Sequence, residues 1–331
     1  MPSYPIVDLH SDLLSFLVDH PLKTFEDPDS KASHLQMRQG NVVFQALTIF
    51  SATNSSAYEY GKKQFKMFLN LLSQYPEKFK LWNPQEQIQQ TSGPISIALV
   101  FENAHSICEE GQKIGDGLIS LEKILLEIKN ILYISLTWDL ENRFGGGCGS
   151  KIGLKEDGKT LLDWMDGKKI AVDLSHASDF LAGDILDYLE KKSLNIPVIA
   201  SHSNTRSIAP LERNLPDFLV QEIIRRKGLI GFNFFAPFIG SSPSQMADHI
   251  SQILSLGGKD VLCFGGDFFL ISSFDYLKKK YNTETGFFPE FSNSSCYQKA
   301  LSLLEQKLDF SEKELRAMAF ENFQNYIQRL R

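Results

Sequence analysis

Short apolar runs rich in β-branched and aromatic residues recur along the chain at 4–10, 41–50, 95–102, 131–138, 169–176, 196–202, 229–235 and 261–267. They are apolar on both faces rather than alternating, as strands are in a parallel sheet covered by helices. Between most of them lie stretches of helical period. Residues 59–74 set Phe65, Phe68, Leu69 and Leu72 on one stripe, and residues 179–191 do the same with Leu181, Ile185, Leu186 and Leu189. Residues 216–226 and 244–256 behave likewise. Near the end, Ser311-Glu-Lys-Glu314 has the form of a capping box, and Leu315, Met318, Ala319, Phe323 and Ile327 follow at helical spacing. Eight strands alternating with helices predict an α/β fold closed as a (β/α)8 TIM barrel. No repeat or Pro/Gly/Ser-rich linker interrupts the pattern, so residues 1–331 are expected to form a single domain. Two connections are long, 139–159 and 268–296, and are expected to form walls or lids at the active-site face.

The polar residues at the strand ends change the picture from fold to chemistry. His10 with Asp12, Glu102, His176, His202 and Asp267 each follow a separate apolar run. A parallel barrel places its active site at the carboxyl ends of its strands, so these side chains are expected to meet in one metal-centred pocket. His10 and Asp12 share one side of an extended chain, because strand side chains alternate. Glu102 ends an almost wholly apolar run, where an ionised carboxylate needs a strong partner. His176 and His202 are each preceded by serine at the ends of successive strands. Asp267 closes Cys263-Phe-Gly-Gly-Asp267, where the glycines permit close approach, and is placed as a proton carrier. Taken singly, each has an ordinary explanation: a hydrogen-bonded core histidine, a barrel-end ion pair, a turn cap. Together they form a mixed His/carboxylate set suited to two Zn²⁺ or similar ions.

Composition excludes several classes. The chain has 331 residues, 43% hydrophobic and 22% charged, with a formal net charge of −6. That balance gives no reason to expect nucleic acid or an anionic membrane as partner. Cys108, Cys148, Cys263 and Cys296 lack metal-type spacing and read as reduced thiols. With no basic leader, apolar signal core or run of about 20 apolar residues, a cytoplasmic location is expected. The run Gly145-Gly-Gly-Cys-Gly149 lacks the ending of a phosphate loop and reads as a flexible loop. Lys278-Lys-Lys280 reads as a solvated face, and Phe287, Phe288 and Phe291 as a lid or a subunit contact. His105 is expected just outside the pocket or at the surface, and His20, His34 and His249 have no ligand context.

At these residues the chain resembles the membrane (renal) dipeptidase family of zinc metallopeptidases, amidohydrolase-like barrels, and within it a bacterial-type branch. The resemblance runs along nearly the whole chain: Val7-Asp-Leu-His-Ser-Asp12, Glu102-Asn-Ala, Ser135-Leu-Thr-Trp138, Asn142-Arg143, Val172-Asp-Leu-Ser-His176, Pro197-Val-Ile-Ala-Ser-His-Ser-Asn204, Arg213-Asn214, Gly231-Phe-Asn-Phe234, Gly265-Gly-Asp267 and Glu321-Asn322. It implies that His10 and Asp12 bind one zinc, that Glu102 bridges, and that His176 and His202 bind the second. It further implies that Arg213 pairs with the substrate's free carboxylate, that Asp267 is the acid/base, and that a homodimer forms. Where well-known animal members carry a histidine, this chain has Trp138, which is expected to pack against substrate. Phe268-Phe-Leu270 is bulkier than usual and narrows the pocket.

The implied reaction is hydrolysis of the amide bond of a dipeptide. A water shared by two ions deprotonates more easily than bulk water and attacks the polarised carbonyl. Asp267 passes its proton to the leaving amine, and Arg213 holds the C-terminal carboxylate. Other expectations remain open: another amidohydrolase acting on N-acyl amino acids, D-aminoacyl compounds, nucleobases or lactones, or a catalytically silent barrel that binds a partner.

Overall fold

A computed structural model describes residues 3–90 and 93–331. Its strands are β1 (Ile6–Ser11), β2 (Val42–Phe50), β3 (Phe79–Leu81), β4 (Ile95–Glu102), β5 (Ile131–Ser135), β6 (Ala171–Asp173), β7 (Val198–Ile199), β8 (Ile230–Phe232) and β9 (Leu262–Phe264). All pair in parallel, in the order β7-β6-β5-β4-β2-β1-β9-β8. A single parallel bridge, Ala200↔Ile230, joins the two ends. The result is the eight-stave (β/α)8 barrel expected from the alternation. β3 is the addition: it pairs with Ile95–Ile97 at the start of β4, before β5 joins at Leu99.

The longest ladder, β2 with β4, runs from Phe44↔Ser96 to Phe50↔Glu102, and every residue of both strands is buried. A strand enclosed on both faces has no polar side to show, which is why its sequence is nearly continuous in apolar residues. On the other side of the barrel the strands are shorter than the apolar runs that encode them. β6, β7 and β9 end at Asp173, Ile199 and Phe264, before His176, His202 and Asp267 are reached. The backbone leaves the ladder there to aim side chains inward, and His176 (φ +66°) and Asp267 (φ +54°) take left-handed conformations to do so.

The outer helices follow the apolar stripes, among them Ala57–Gln74, Asp179–Lys192, Asp217–Arg225 and Gln245–Ser255. Ser311 caps Glu312–Arg316 with a reciprocal box to Glu314. Beyond it the single helix of the sequence pattern is interrupted by a π-helical turn, Ala317–Glu321, before Asn322–Leu330. The wide turn precedes Asn322, whose Nδ2 donates to the carbonyls of Lys259 and Leu262 beneath β9.

Three expectations change. Gly145, Gly146, Gly147 and Cys148 are buried rather than flexible: a Cβ on Gly147 would lie 2.0 Å from the Trp138 carbonyl oxygen. Asn142 holds this turn by accepting from the amides of Phe144 and Gly145. Phe287 and Phe291 are interior residues, Phe287 packing on Phe235, Phe268 and Phe269, and Phe291 on Phe234. Lys280 is no solvated bystander, for its Nζ lies 2.7 Å from Asp139 Oδ2. All four cysteines are free and buried. Among the described residues, no helix is long and apolar enough to cross a membrane.

Candidate active site and metal centre

His10, Asp12, Glu102, His176, His202 and Asp267 converge at the carboxyl end of the barrel, each less than a tenth exposed. His10 Nε2 lies 3.1 Å from Glu102 Oε2, 3.8 Å from Asp12 Oδ2 and 3.9 Å from Asp267 Oδ1. The other Glu102 oxygen is 2.9 Å from His176 Nε2 and 3.7 Å from His202 Nε2, and those two nitrogens are 3.0 Å apart. Glu102 is the hinge between two clusters, His10/Asp12/Glu102 and Glu102/His176/His202, each compact enough to hold a metal ion.

The outward-facing nitrogens decide what the inward ones can do. Tyr133 donates its hydroxyl proton to the Leu9 carbonyl, so at 2.7 Å its oxygen accepts from His10 Nδ1. Ser201 donates to Asp173 and so accepts from His202 Nδ1, also at 2.7 Å. Asp139 Oδ1 accepts from His176 Nδ1 at 2.9 Å. With each Nδ1 committed as donor, a neutral ring presents a bare Nε2 lone pair inward. Three such lone pairs face the oxygens of Asp12, Glu102 and Asp267. With the rings neutral, the nest is all acceptors and needs positive charge at its centre, and its nitrogen and oxygen ligands suit a divalent transition ion.

Protonation follows from the same crowding. Burial would depress His10, but Glu102 beside it wins and holds it at about 9. Burial also works against the Glu102 charge, yet His10 and the hydrogen-bonding imidazoles keep its pKa well below the usual range. Burial and then His10 push His202 well below an ordinary imidazole. For His176, burial and Arg213 are outweighed by Asp139, Cys148 and Glu102, and its pKa rises. Burial, reinforced by Glu102, drives Asp12 up. Asp267 is pushed up to about 6, burial prevailing over His10.

Asn233 orients Asp267, donating from Nδ2 to its Oδ2 at 2.7 Å and to the His202 carbonyl at 3.2 Å. Arg213 is buried behind His202, its two terminal nitrogens donating to Ser203 Oγ and the His202 carbonyl. Its Nε has no hydrogen-bond partner. The guanidinium lies 5.3 Å from the Phe238 ring centre, and Phe238 rather than Arg213 lines the cleft. Trp138 lines it too, 6.2 Å from the His176 ring and 5.1 Å from Phe50. Of the bulky run after Asp267, Phe269 reaches the cleft, whereas Phe268 is sealed against Phe234 and Tyr297.

Several supporting residues were not visible in the sequence. Asp139 carries His176, receives Lys280 and accepts from the Cys148 thiol at 3.2 Å. Asp173 accepts from Ser135, Ser201 and the Ser175 amide. Asp8 accepts from the His10 and Gly266 amides and from Tyr297. A signal existed for the last two: an acidic residue on each of two apolar strands, Asp8 two residues before His10 and Asp173 three before His176. His105 is buried, its Nε2 directed at the Asn54 carbonyl, away from the cluster.

A parallel barrel with a buried His/carboxylate nest at its strand ends defines a metal-site (β/α)8 barrel of the hydrolase type. The chain belongs to the membrane dipeptidase family (peptidase family M19), whose pattern matches residues 1–330. It is similar to an uncharacterized dipeptidase of Schizosaccharomyces pombe, 26% identical over 298 residues, 80% of this chain and 68% of that one. A protein from the PQQ-III 3′ region of Acinetobacter calcoaceticus is 28% identical over 185 residues. That match takes in 54% of this chain and spans only 55% of the relative's length. In fold, the chain is similar to a metallopeptidase of Rhodobacter sphaeroides crystallised with a phosphinate mimic of the dipeptide L-Ala-D-Ala (TM-score 0.80, 18% identity, 100% of both chains).

Proposed function

We propose that the chain is a metal-dependent dipeptidase acting in the cytoplasm, with residues 1–331 as one catalytic domain. The observation that carries this reading is the convergence of three inward imidazole nitrogens and three carboxylates, within a chain of the membrane dipeptidase family. His10, Asp12 and Glu102 would hold one Zn²⁺ and Glu102, His176 and His202 a second. Bound there, the ions supply an acidified water and polarise the scissile carbonyl. Asp267, steered by Asn233 and with its pKa near 6, takes the proton of the attacking water and returns it to the leaving amine. Arg213, fixed by Ser203 and the His202 carbonyl with Nε unsatisfied, offers charge to the substrate's C-terminal carboxylate. Trp138 packs on the substrate and shields the reacting bond from bulk water. The four free, buried thiols accord with a reducing compartment.

The test is a panel of L,L-, L,D- and N-acylated dipeptides, assayed with Zn²⁺-loaded and chelator-treated protein. Hydrolysis that needs both the metal and a free C-terminal carboxylate is expected. Turnover of nucleobases or lactones in place of dipeptides would overturn the reading. Arg213→Ala should raise KM for dipeptides with little change in kcat, and an unmoved KM would remove Arg213 from substrate binding.

A further inference from the structure

Above the polar floor, the cleft is lined only by apolar side chains. One side is formed by Phe50 and Trp138, packed edge to face at 5.1 Å. The facing side is formed by Phe235 and Phe238, at 4.9 Å. Phe269, Phe274 and Leu277 of the long segment after β9 complete the enclosure. Ring contacts run round it without a break on that side: Phe50 to Phe274 at 5.6 Å, Phe274 to Phe269 at 5.2 Å, Phe269 to Phe235 at 5.5 Å. Among the described residues, no lysine or arginine lines the space, and its ionisable groups, Asp12, Glu102, Asp139, His176 and Asp267, all belong to the floor.

We propose that this cleft selects dipeptides bearing a bulky apolar side chain and rejects those bearing an acidic one, a specificity that rests on the dipeptidase reading above. An aliphatic or aromatic side chain exchanges water for the surrounding rings and is drawn in. A small side chain leaves those rings wet. A carboxylate side chain loses its hydration among these rings and meets no lysine or arginine on the walls to offset that loss.

The experiment is a ranking by kcat/KM with Zn²⁺-loaded protein, using X-Ala and Ala-X dipeptides with X as Ala, Leu, Phe or Asp. Leu or Phe should exceed Ala by about tenfold or more in at least one series, the size of step that apolar pockets achieve, with Asp lowest. Phe274→Ala and the milder Leu277→Ala, neither touching the metal nest, should shrink the Phe-to-Ala ratio by severalfold while metal content stays unchanged. A flat ranking, or Asp equal to Leu, overturns the proposal even if hydrolysis is brisk. Calorimetric binding of the same dipeptides to the intact chain separates the two readings. Bulk-selective binding without hydrolysis sinks the peptidase reading and keeps the cleft's selectivity, whereas unselective binding sinks the selectivity.

Discussion

The floor and the walls of the cleft are built by opposite means. Every floor group sits on a strand or just past one, and its far atoms are tied: His10 to Tyr133, His202 to Ser201, His176 to Asp139, Asp267 to Asn233. The roof is carried by the 268–296 segment, whose helix Asp275–Tyr281 has no fully buried residue. Chemistry that needs atoms fixed within a fraction of an ångström is placed on the barrel, and recognition that needs only apolar contact is placed on a connection. Among the described residues, one ion pair joins the two regions, Lys280 with Asp139.

The comparison breaks most severely at Glu102, which alone among the described residues touches all three imidazoles. Glu102→Gln should lower kcat/KM by at least about a thousandfold and strip metal, beyond the roughly 10–100-fold typical of a group behind a ligand. Metal content measured alongside rate checks this, and full occupancy in the variant would remove Glu102 from metal binding. Asp267→Asn should leave metal bound and cut kcat by about 10²–10⁴-fold, the range of a lost general acid/base. Unchanged turnover would exclude the proton shuttle.

Next comes the junction itself. Lys280→Met leaves Asp139 without its cation, so metal affinity or rate should fall by about 10–100-fold. Proteolysis within 268–296 should quicken as well. If neither changes, roof and floor are independent.

The smallest effect lies away from the cleft, at His249. Burial lowers its pKa below 6.5, only partly offset by the Ile239 carbonyl, and its Nδ1 accepts from the Thr205 amide. The unfolded chain therefore takes up this proton at higher pH than the folded one. The neutral ring's contribution is whole above about pH 6.5 and is lost as pH falls through the folded value. His249→Gln, which cannot titrate, should show its largest deficit in urea midpoint above pH 6.5, and the gap to wild type should close on acidification. A constant gap would mean that His249 titrates alike in the folded and unfolded states.

The floor was legible because barrel geometry turns a local fact, a polar residue after an apolar run, into a spatial one. Strand order needed no tertiary information beyond that alternation. The walls and supports were not legible, since their meaning depends on contacts across long separations. Lys280 looks like any solvated lysine until Asp139, 141 residues away, is placed beside it. The glycines at 145–147 look mobile until the Trp138 carbonyl is seen filling the place of a side chain. Phe287 and Phe291 were ambiguous because an aromatic cluster in a long connection reads alike whether it turns inward or outward. β3 was missed because three residues, two of them only half-buried, make too short a pattern. The regular strands also stop earlier than the apolar runs, since polarity alone does not reveal where a backbone turns to left-handed φ.

Gly231 and Gly265 border the narrow join between β7 and β8, and a Cβ on either would come within 1.9 Å of the Ser201 carbonyl oxygen. One oxygen thus occupies ground that two neighbouring staves must both leave vacant, immediately before His202 in the chain. Even an alanine at either position would have to spread the staves and drag an imidazole with them. Adaptation to new substrates is therefore channelled away from this quarter of the barrel, into the overhanging connections, where residues other than Lys280 can be exchanged without moving the buried nest.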